Sequence, residues 1–420
     1  MAGRVRTRTE RGAPGGSRAA DPGGSRAAAP GGSRAAAPGG TGPAPFEPPP
    51  YPYDRLDGFR AEAEVLPGGV VDCSVGTPGD PPPPAAIRAL AVSGTERGYP
   101  SSAGSPGLRR AAADWILRRF GVEVEPSAVA ACVGTKELVA STAQFLRLRD
   151  PSKDTVLYPA VSYPTYAMGA LLGGCRPVAV PPLTPDGNGL ALDRVDPADA
   201  ERALLLWSNS PSNPAGGLTD LGAVAGWGRE RGIPVFSDEC YCEFTWEGPP
   251  ATVLAHGLDG VVAVHSLSKR SNLAGLRSGF FAGDAGLVGY LRDVRQHAGL
   301  MVPGPVQAAS AVALNDDAHV DEQRERYLER LRFLAEVFAG IGCPVELPEG
   351  GFYLWVPVPE RWPDAWAMAA DLARAGGLLT SPGDMYGEGG QRHLRVAVVQ
   401  PMARLQMVAE RLASSGLARA

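Results

Sequence analysis

Between residues 128 and 296, short apolar runs and amphipathic stretches take turns, and this alternation limits the fold more than any other feature of the chain. Runs at 128–133, 155–158, 176–180, 203–207, 234–237 and 261–266 have the length and composition of strands. The stretches 135–148, 163–172, 218–231 and, after a break, 285–296 carry helical periodicity. Strands joined through crossover helices pair in parallel. The pattern therefore predicts an α/β fold with a mainly parallel sheet covered on both faces.

The flanks read differently. Residues 70–79 predict a short strand ending in a turn, 83–93 a helix with proline in its opening turn, and 108–120 a helix that stops at Gly121. The last hundred residues predict a smaller α+β domain: a long charged helix near 317–340, strands at 351–357 and 393–399, and a closing helix at 402–414. Folded structure is expected to begin near Phe46. Before it, Gly-Gly-Ser-Arg-Ala-Ala recurs at 15–20, 23–28 and 31–36, a period too short for a solenoid. Gly, Pro, Ser and Ala bury too little surface to offset ordering entropy, so a disordered tail is expected over residues 1–45.

Composition removes several classes of function. The net charge of −5 is unevenly spread: residues 1–45 hold seven Arg against Glu10 and Asp21, which is +5 and leaves −10 on the body. An acidic body argues against nucleic acid as a partner. No apolar run approaches the ~18 residues of a membrane span. The six cysteines (73, 132, 175, 240, 242, 343) form no C-x-x-C pair and no framework spacing, so they read as reduced thiols of a cytoplasmic protein. The five His are scattered without ligand spacing, and no metal is expected.

Only three of the 40 basic side chains are lysine: Lys136, Lys153 and Lys269. Lys269 sits in Ser-Leu-Ser-Lys-Arg-Ser-Asn-Leu-Ala-Gly-Leu-Arg-Ser-Gly (266–279), with Ser266, Ser268 and Arg277 close by. An amine that attacks a carbonyl must come from lysine, since arginine stays protonated. Two hydroxyls and a fixed cation beside it suit a phosphate, although a surface lysine in a serine-rich turn has the same sequence. Other chemistry-bearing residues fall at predicted strand ends, where open α/β sheets place ligands. Val133-Gly-Thr-Lys-Glu is either a phosphate cradle at a helix start or an ordinary turn with Thr135 as cap. Ser208-Asn-Ser-Pro-Ser-Asn-Pro-Ala-Gly turns sharply and can aim Asn213 inward as a donor. Asp238 can pair with a pyridinium nitrogen or merely cap a helix, and Tyr241 lies three residues on. Tyr163 can stack on a flat ring or pack in the core. Arg395, in an apolar strand, needs an anion, either an internal carboxylate or one carried by a substrate.

In order and spacing this set resembles the class I/II pyridoxal-phosphate aminotransferases of fold type I. The residues that carry the likeness are Gly76, Tyr99, Gly134-Thr-Lys-Glu, Tyr163, Asn213-Pro-Ala-Gly, Asp238, Tyr241, Ser266, Ser268, Lys269, Arg277 and Arg395. It runs from about Val71 to the C-terminus. The resemblance implies a large domain (81–305) with a mainly parallel seven-stranded sheet, a segment 46–80 that forms an N-terminal arm and part of the small domain, and the rest of the small domain at 306–420. It implies pyridoxal 5'-phosphate bound covalently by Lys269, which also shuttles the proton. Asp238 would face the ring nitrogen, Asn213 and Tyr241 the phenolate oxygen, and Tyr163 the ring. Thr135, Ser266, Ser268, Arg277 and the Lys136 backbone would hold the phosphate. Arg395, with Gly76 and Asn213, would hold the substrate. Tyr99 would reach the phosphate of a second subunit, which implies a homodimer with shared active sites.

Val75-Gly-Thr-Pro, Gly98-Tyr-Pro-Ser-Ser-Ala-Gly-Ser-Pro, the Asn213 and Lys269 motifs, Ser237-Asp-Glu-Cys-Tyr and His297-Ala-Gly-Leu-Met-Val-Pro-Gly-Pro-Val-Gln are similar to actinobacterial N-succinyldiaminopimelate aminotransferases. That likeness implies amino transfer between glutamate and N-succinyl-2-amino-6-oxopimelate, in lysine and diaminopimelate synthesis. Ala215 departs from the more usual Thr. So long a substrate calls for a second polar locus. Arg270 and Asn272 are candidates, unless Arg270 makes an internal ion pair. Other amino-group acceptors, a C–S lyase, and a non-catalytic sensor built on the same domain are the rival readings.

Overall fold

The computed structural model describes residues 46–419. The repeat tail at 1–45 lies outside them. The strands in chain order are β1 (Val71–Asp72), β2 (Val129–Cys132), β3 (Thr155–Pro159), β4 (Arg176–Val180), β5 (Ala203–Asn209), β6 (Val235–Asp238), β7 (Val261–Ser266), β8 (Gly279–Gly283), β9 (Tyr353–Pro357), β10 (Leu378–Leu379), β11 (Ser381–Pro382) and β12 (His393–Ala397). Seven of them form one sheet in the order β2-β8-β7-β6-β5-β3-β4. Every pairing in it is parallel except the two made by β8. Every residue of β5, β6 and β7 is buried, as expected of strands covered on both faces. Side chains alternate between two cores: Val129 and Ala131 pack on one face, Ala130 and Cys132 on the other.

The predicted strands and helices between 128 and 296 are present to within three residues at each end. The largest shifts have local causes. The helix expected from 108 starts at Pro106, because Ser105 caps it by accepting from Leu108 N–H at 3.2 Å. The helix expected from 218 waits for its cap, Asp220, and spans Leu221–Arg231. Strand β8 was not predicted. Its Gly-Phe-Phe-Ala-Gly run is short and glycine-bounded, and it is placed by pairing with β7 and β2.

A second core gathers around a three-stranded sheet, β11-β12-β9, and a two-stranded pair, β1-β10. The long helix is there as Ala318–Gly340, and the closing helix as Met402–Ser414. β1 pairs in parallel with β10, Val71 opposite Leu378, so the N-terminal segment is tied to the C-terminal part of the chain. Among the described residues no helix is long and apolar enough to cross a membrane. All six cysteines are buried and unbridged.

Candidate active site

The carboxyl ends of β2, β3, β5, β6 and β7 lie along one edge of the large sheet, where β9 and β12 of the smaller sheet meet them. Between the two sheets is a cavity of about 210 Å³. Twelve of the thirteen residues to which the resemblance gives a role line it: Gly76, Thr135, Lys136, Tyr163, Asn213, Asp238, Tyr241, Ser266, Ser268, Lys269, Arg277 and Arg395. Tyr99 does not. It is fully exposed on this chain.

One end of the cavity is built for an anion. The Thr135–Arg149 helix begins there, with its free N–H groups. Gly134 holds φ +72, and a Cβ at that position would overlap the Arg277 guanidinium. Ser266 ends β7 and caps the next turn by accepting from Ser268 N–H at 3.1 Å. Arg277 itself sits at φ 53 and Asn272 at φ 54, a region non-glycine residues seldom occupy.

The floor is Asp238, the last residue of β6 and only 6% exposed. Tyr166 Oη donates to Asp238 Oδ2 at 2.9 Å and Cys240 N–H to Asp238 Oδ1 at 3.2 Å. Burial nevertheless raises its pKa above the ordinary aspartate value, against these two hydrogen bonds. No cation pairs with it among the described residues. Opposite, Lys269 Nζ donates to the Gly76 carbonyl. Burial lowers the Lys269 pKa to about 8.

Arg395 projects from β12 and is 2% exposed. Its Nη1 donates to Asn213 Oδ1 at 2.8 Å, and its Nη2 to the Ser74 carbonyl and, at 3.3 Å, to Tyr53 Oη. Its guanidinium lies 4.4 Å from the Tyr353 ring centre and 4.7 Å from that of Tyr386. All of these partners are neutral, and Nε has none. A buried cation without an anion is costly, so the geometry calls for a ligand carboxylate. Asn213 lies within a tight double turn in which the Ser210–Pro211 and Asn213–Pro214 bonds are both cis.

Two candidates from the sequence, Arg270 and Asn272, are turned away from the cavity. Arg270 is not a second substrate locus. Its Nε donates to Glu243 Oε1 at 3.2 Å and its Nη1 to the Ala313 carbonyl at 2.7 Å, inside the core. Asn272 turns to the Pro81 carbonyl and Gln323. Tyr241 Oη meets Tyr353 Oη at 2.8 Å. Lys136 extends its side chain to Tyr51 Oη at 3.3 Å. Sequence reasoning missed Tyr51, Tyr53, Tyr166, Cys240 and Tyr353, all on the cavity wall. Only Tyr166 carried a sequence signal, its place three residues after Tyr163.

The cavity thus combines an anion cradle, an amine with a lowered pKa, a buried carboxylate in need of a cation, and a buried arginine in need of an anion. Pyridoxal phosphate with an amino-acid substrate meets all four needs. The family model for aminotransferase class I and II matches residues 69–412. The chain is 42% identical to the 4-dedimethylamino-4-oxo-anhydrotetracycline transaminase OxyQ of Streptomyces rimosus, over 87% of this chain and 99% of that one. It is 35% identical to an LL-diaminopimelate aminotransferase of Desulforudis audaxviator, over 87% and 95%. A solved structure, a probable N-succinyldiaminopimelate aminotransferase from Thermus thermophilus, superposes with a TM-score of 0.77 at 30% identity, over 86% and 99%. The chain belongs to the class I and II aminotransferases, transaminases that depend on pyridoxal phosphate.

Proposed function

We propose that the residues of this cavity transfer an amino group from glutamate to N-succinyl-2-amino-6-oxopimelate. The observation that carries the amino-transfer reading is the meeting, in one cavity, of Lys269, Asp238 and Arg395, none of them ion-paired among the described residues. Thr135, Ser266, Ser268, Arg277 and the Lys136 N–H would hold the cofactor phosphate. Tyr163 would lie against the ring. Asn213, whose Oδ1 accepts from Arg395, would turn its amide N–H₂ to the phenolic oxygen, as Tyr241 would its hydroxyl. When bound, pyridoxal phosphate supplies a ring that draws off negative charge developing on the substrate α-carbon.

The chain's own groups do the rest. Lys269, its pKa lowered to about 8 by burial, holds a useful fraction of free amine near neutral pH. The same Nζ takes the proton from the substrate α-carbon. Asp238, already desolvated, would pair its carboxylate with a protonated ring nitrogen. Arg395 grips the substrate α-carboxylate and orients the α-carbon. Tyr99, outside this cavity and fully exposed, would complete the phosphate site of a second copy in a cytoplasmic homodimer.

The substrate rests on the motif resemblance, on the Thermus thermophilus structure, and on the diaminopimelate skeleton named for the 35% identical relative. A second reading has its own observation. The outer wall of the cavity is Tyr51, Tyr53 and Val75, and Arg270 is turned away into the core. Such a wall suits a polycyclic ketone of the kind in the name of the 42% identical relative. The test adds one amino donor at a time to cofactor-loaded protein and follows the cofactor absorbance. A rapid change with both N-succinyl-L,L-diaminopimelate and L-glutamate supports the first reading. Response to glutamate but not to the succinylated donor moves the substrate to the second. Pyruvate plus ammonia as products would point to a lyase instead.

A further inference from the structure

Residues 74–80 cross the cavity as a strap, and Val75, Gly76 and Thr77 are the part that lines it. At one end the Ser74 carbonyl accepts from Arg395 and from Ser381 Oγ, the latter at 2.7 Å. In the middle, the Gly76 carbonyl accepts from Lys269 Nζ. Gly76 is also pressed against Tyr353, whose hydroxyl a Cβ there would overlap. At the other end is Asp80, which does not touch the cavity. It forms a buried fork-on-fork ion pair with Arg330 of the long Ala318–Gly340 helix, at 2.7 Å on both oxygens. Gln323, about two turns earlier on the same helix face, adds a third bond to Asp80 Oδ2 at 2.8 Å. The Gln323 side-chain oxygen in turn accepts from Asn272 Nδ2 at 3.1 Å, three residues beyond Lys269.

We propose that Asp80 is a positioning residue: its ion pair with Arg330 fixes the strap, so that Val75–Thr77 keep their place against Lys269 and the incoming substrate. Bidentate geometry suits this work because it fixes orientation as well as distance. The partners are also well placed. The helix that carries Arg330 packs Tyr327, Leu331 and Leu334 into the same core as β9 and β12, which carry Tyr353 and Arg395. Gln323 reaches the segment that carries Lys269. One buried cluster therefore sets the strap relative to both the amine and the carboxylate clamp. Burial alone would push the Asp80 carboxyl up, and the hydrogen bonds from Arg330 and Gln323 bring it below its ordinary value.

The inference rests on the amino-transfer reading of the cavity, and the experiment separates the two. In Asp80→Asn, the KM for L-glutamate should rise about tenfold while kcat per cofactor-loaded site stays within about threefold of wild type, since a misplaced strap weakens substrate grip more than chemistry. In protein without added cofactor, amide exchange over residues 74–79 should quicken by about tenfold, with β6 unchanged. Should Asp80→Asn not fold, the Asp80→Ala/Arg330→Met double variant leaves no orphan cation in the core and must show the same two changes. An unchanged KM with kcat falling in step with folded protein would reduce Asp80 to a structural residue and overturn the proposal. Unchanged exchange over 74–79 would do the same. If wild type moved no amino group from any donor, the reading of the cavity would fail, and the exchange comparison would still decide the fate of Asp80.

Discussion

Arg270 and Arg395 are buried to almost the same degree, 3% and 2% exposed, yet their surroundings are opposites. Arg270 sits among carboxylates: Glu243 at 3.2 Å and Asp317 at 3.5 Å, with Trp115 and Arg119 also on Glu243. Arg395 has only neutral oxygens and tyrosine rings. A buried cation that the fold has already neutralised is part of the scaffold. One that the fold leaves without an anion is waiting for a ligand. Lys269 is a third case: burial lets it shed its proton, which arginine cannot do.

The largest effect should come from the third cation. Lys269→Ala should cut amino transfer by ~10⁴-fold or more, because it removes both the amine that bonds the cofactor and the group that moves the proton. It should also remove the absorbance of the covalently bound cofactor and leave the fold intact. Turnover near wild type would end the assignment.

The two arginines should separate in thermal melts. Arg270→Met leaves Glu243 with one ion-pair partner, Arg119, and the Trp115 hydrogen bond. It should cost about 2 kcal/mol, below the ~3–5 kcal/mol of a fully orphaned buried charge. Arg395→Met removes a cation that the protein itself does not neutralise, and should leave stability unchanged or raise it. Equal losses in both variants would erase the distinction.

The smallest effect is a pH dependence. The Lys269 pKa in the folded chain, about 8, lies below the ordinary lysine value. From about 8 up to the unfolded value near ~10.4, the unfolded chain holds more protons than the folded one, so stability should rise with pH across that window. In protein without cofactor, reductive labelling of Lys269 by a small aldehyde should climb with pH and level off above about 8, as mass spectrometry would show. A rise continuing to 10 would mean an ordinary, solvated lysine.

The sequence announced the sheet because β5, β6 and β7 are buried on both faces, which leaves unbroken apolar runs. It hid β8, whose five residues mean nothing without β7 and β2 beside them. The residues brought to the cavity by strand ends were legible for the same reason: each follows an apolar run directly. The wall made by Tyr53 and Tyr353 was not, because Tyr53 reaches Arg395 across 342 positions of sequence and Tyr353 reaches Tyr241 across 112. Nor could the sequence tell Arg270 from Arg395. Both are single arginines in apolar or mixed settings, and only the tertiary fold shows which one has been given its carboxylates. Asp80 lies in a glycine–proline turn and looked like one. Its partner is 250 positions away.

The most direct test of the central claim, that Arg395 is an unpaired cation held ready for a substrate carboxylate, is a half-reaction titration. Cofactor-loaded wild type and Arg395→Met would each be mixed with increasing L-glutamate, and the change in cofactor absorbance followed by stopped flow. Wild type should saturate, and the variant should lose about 10²–10³-fold in the second-order rate constant with the starting absorbance intact. Wild-type saturation behaviour in Arg395→Met would contradict the claim.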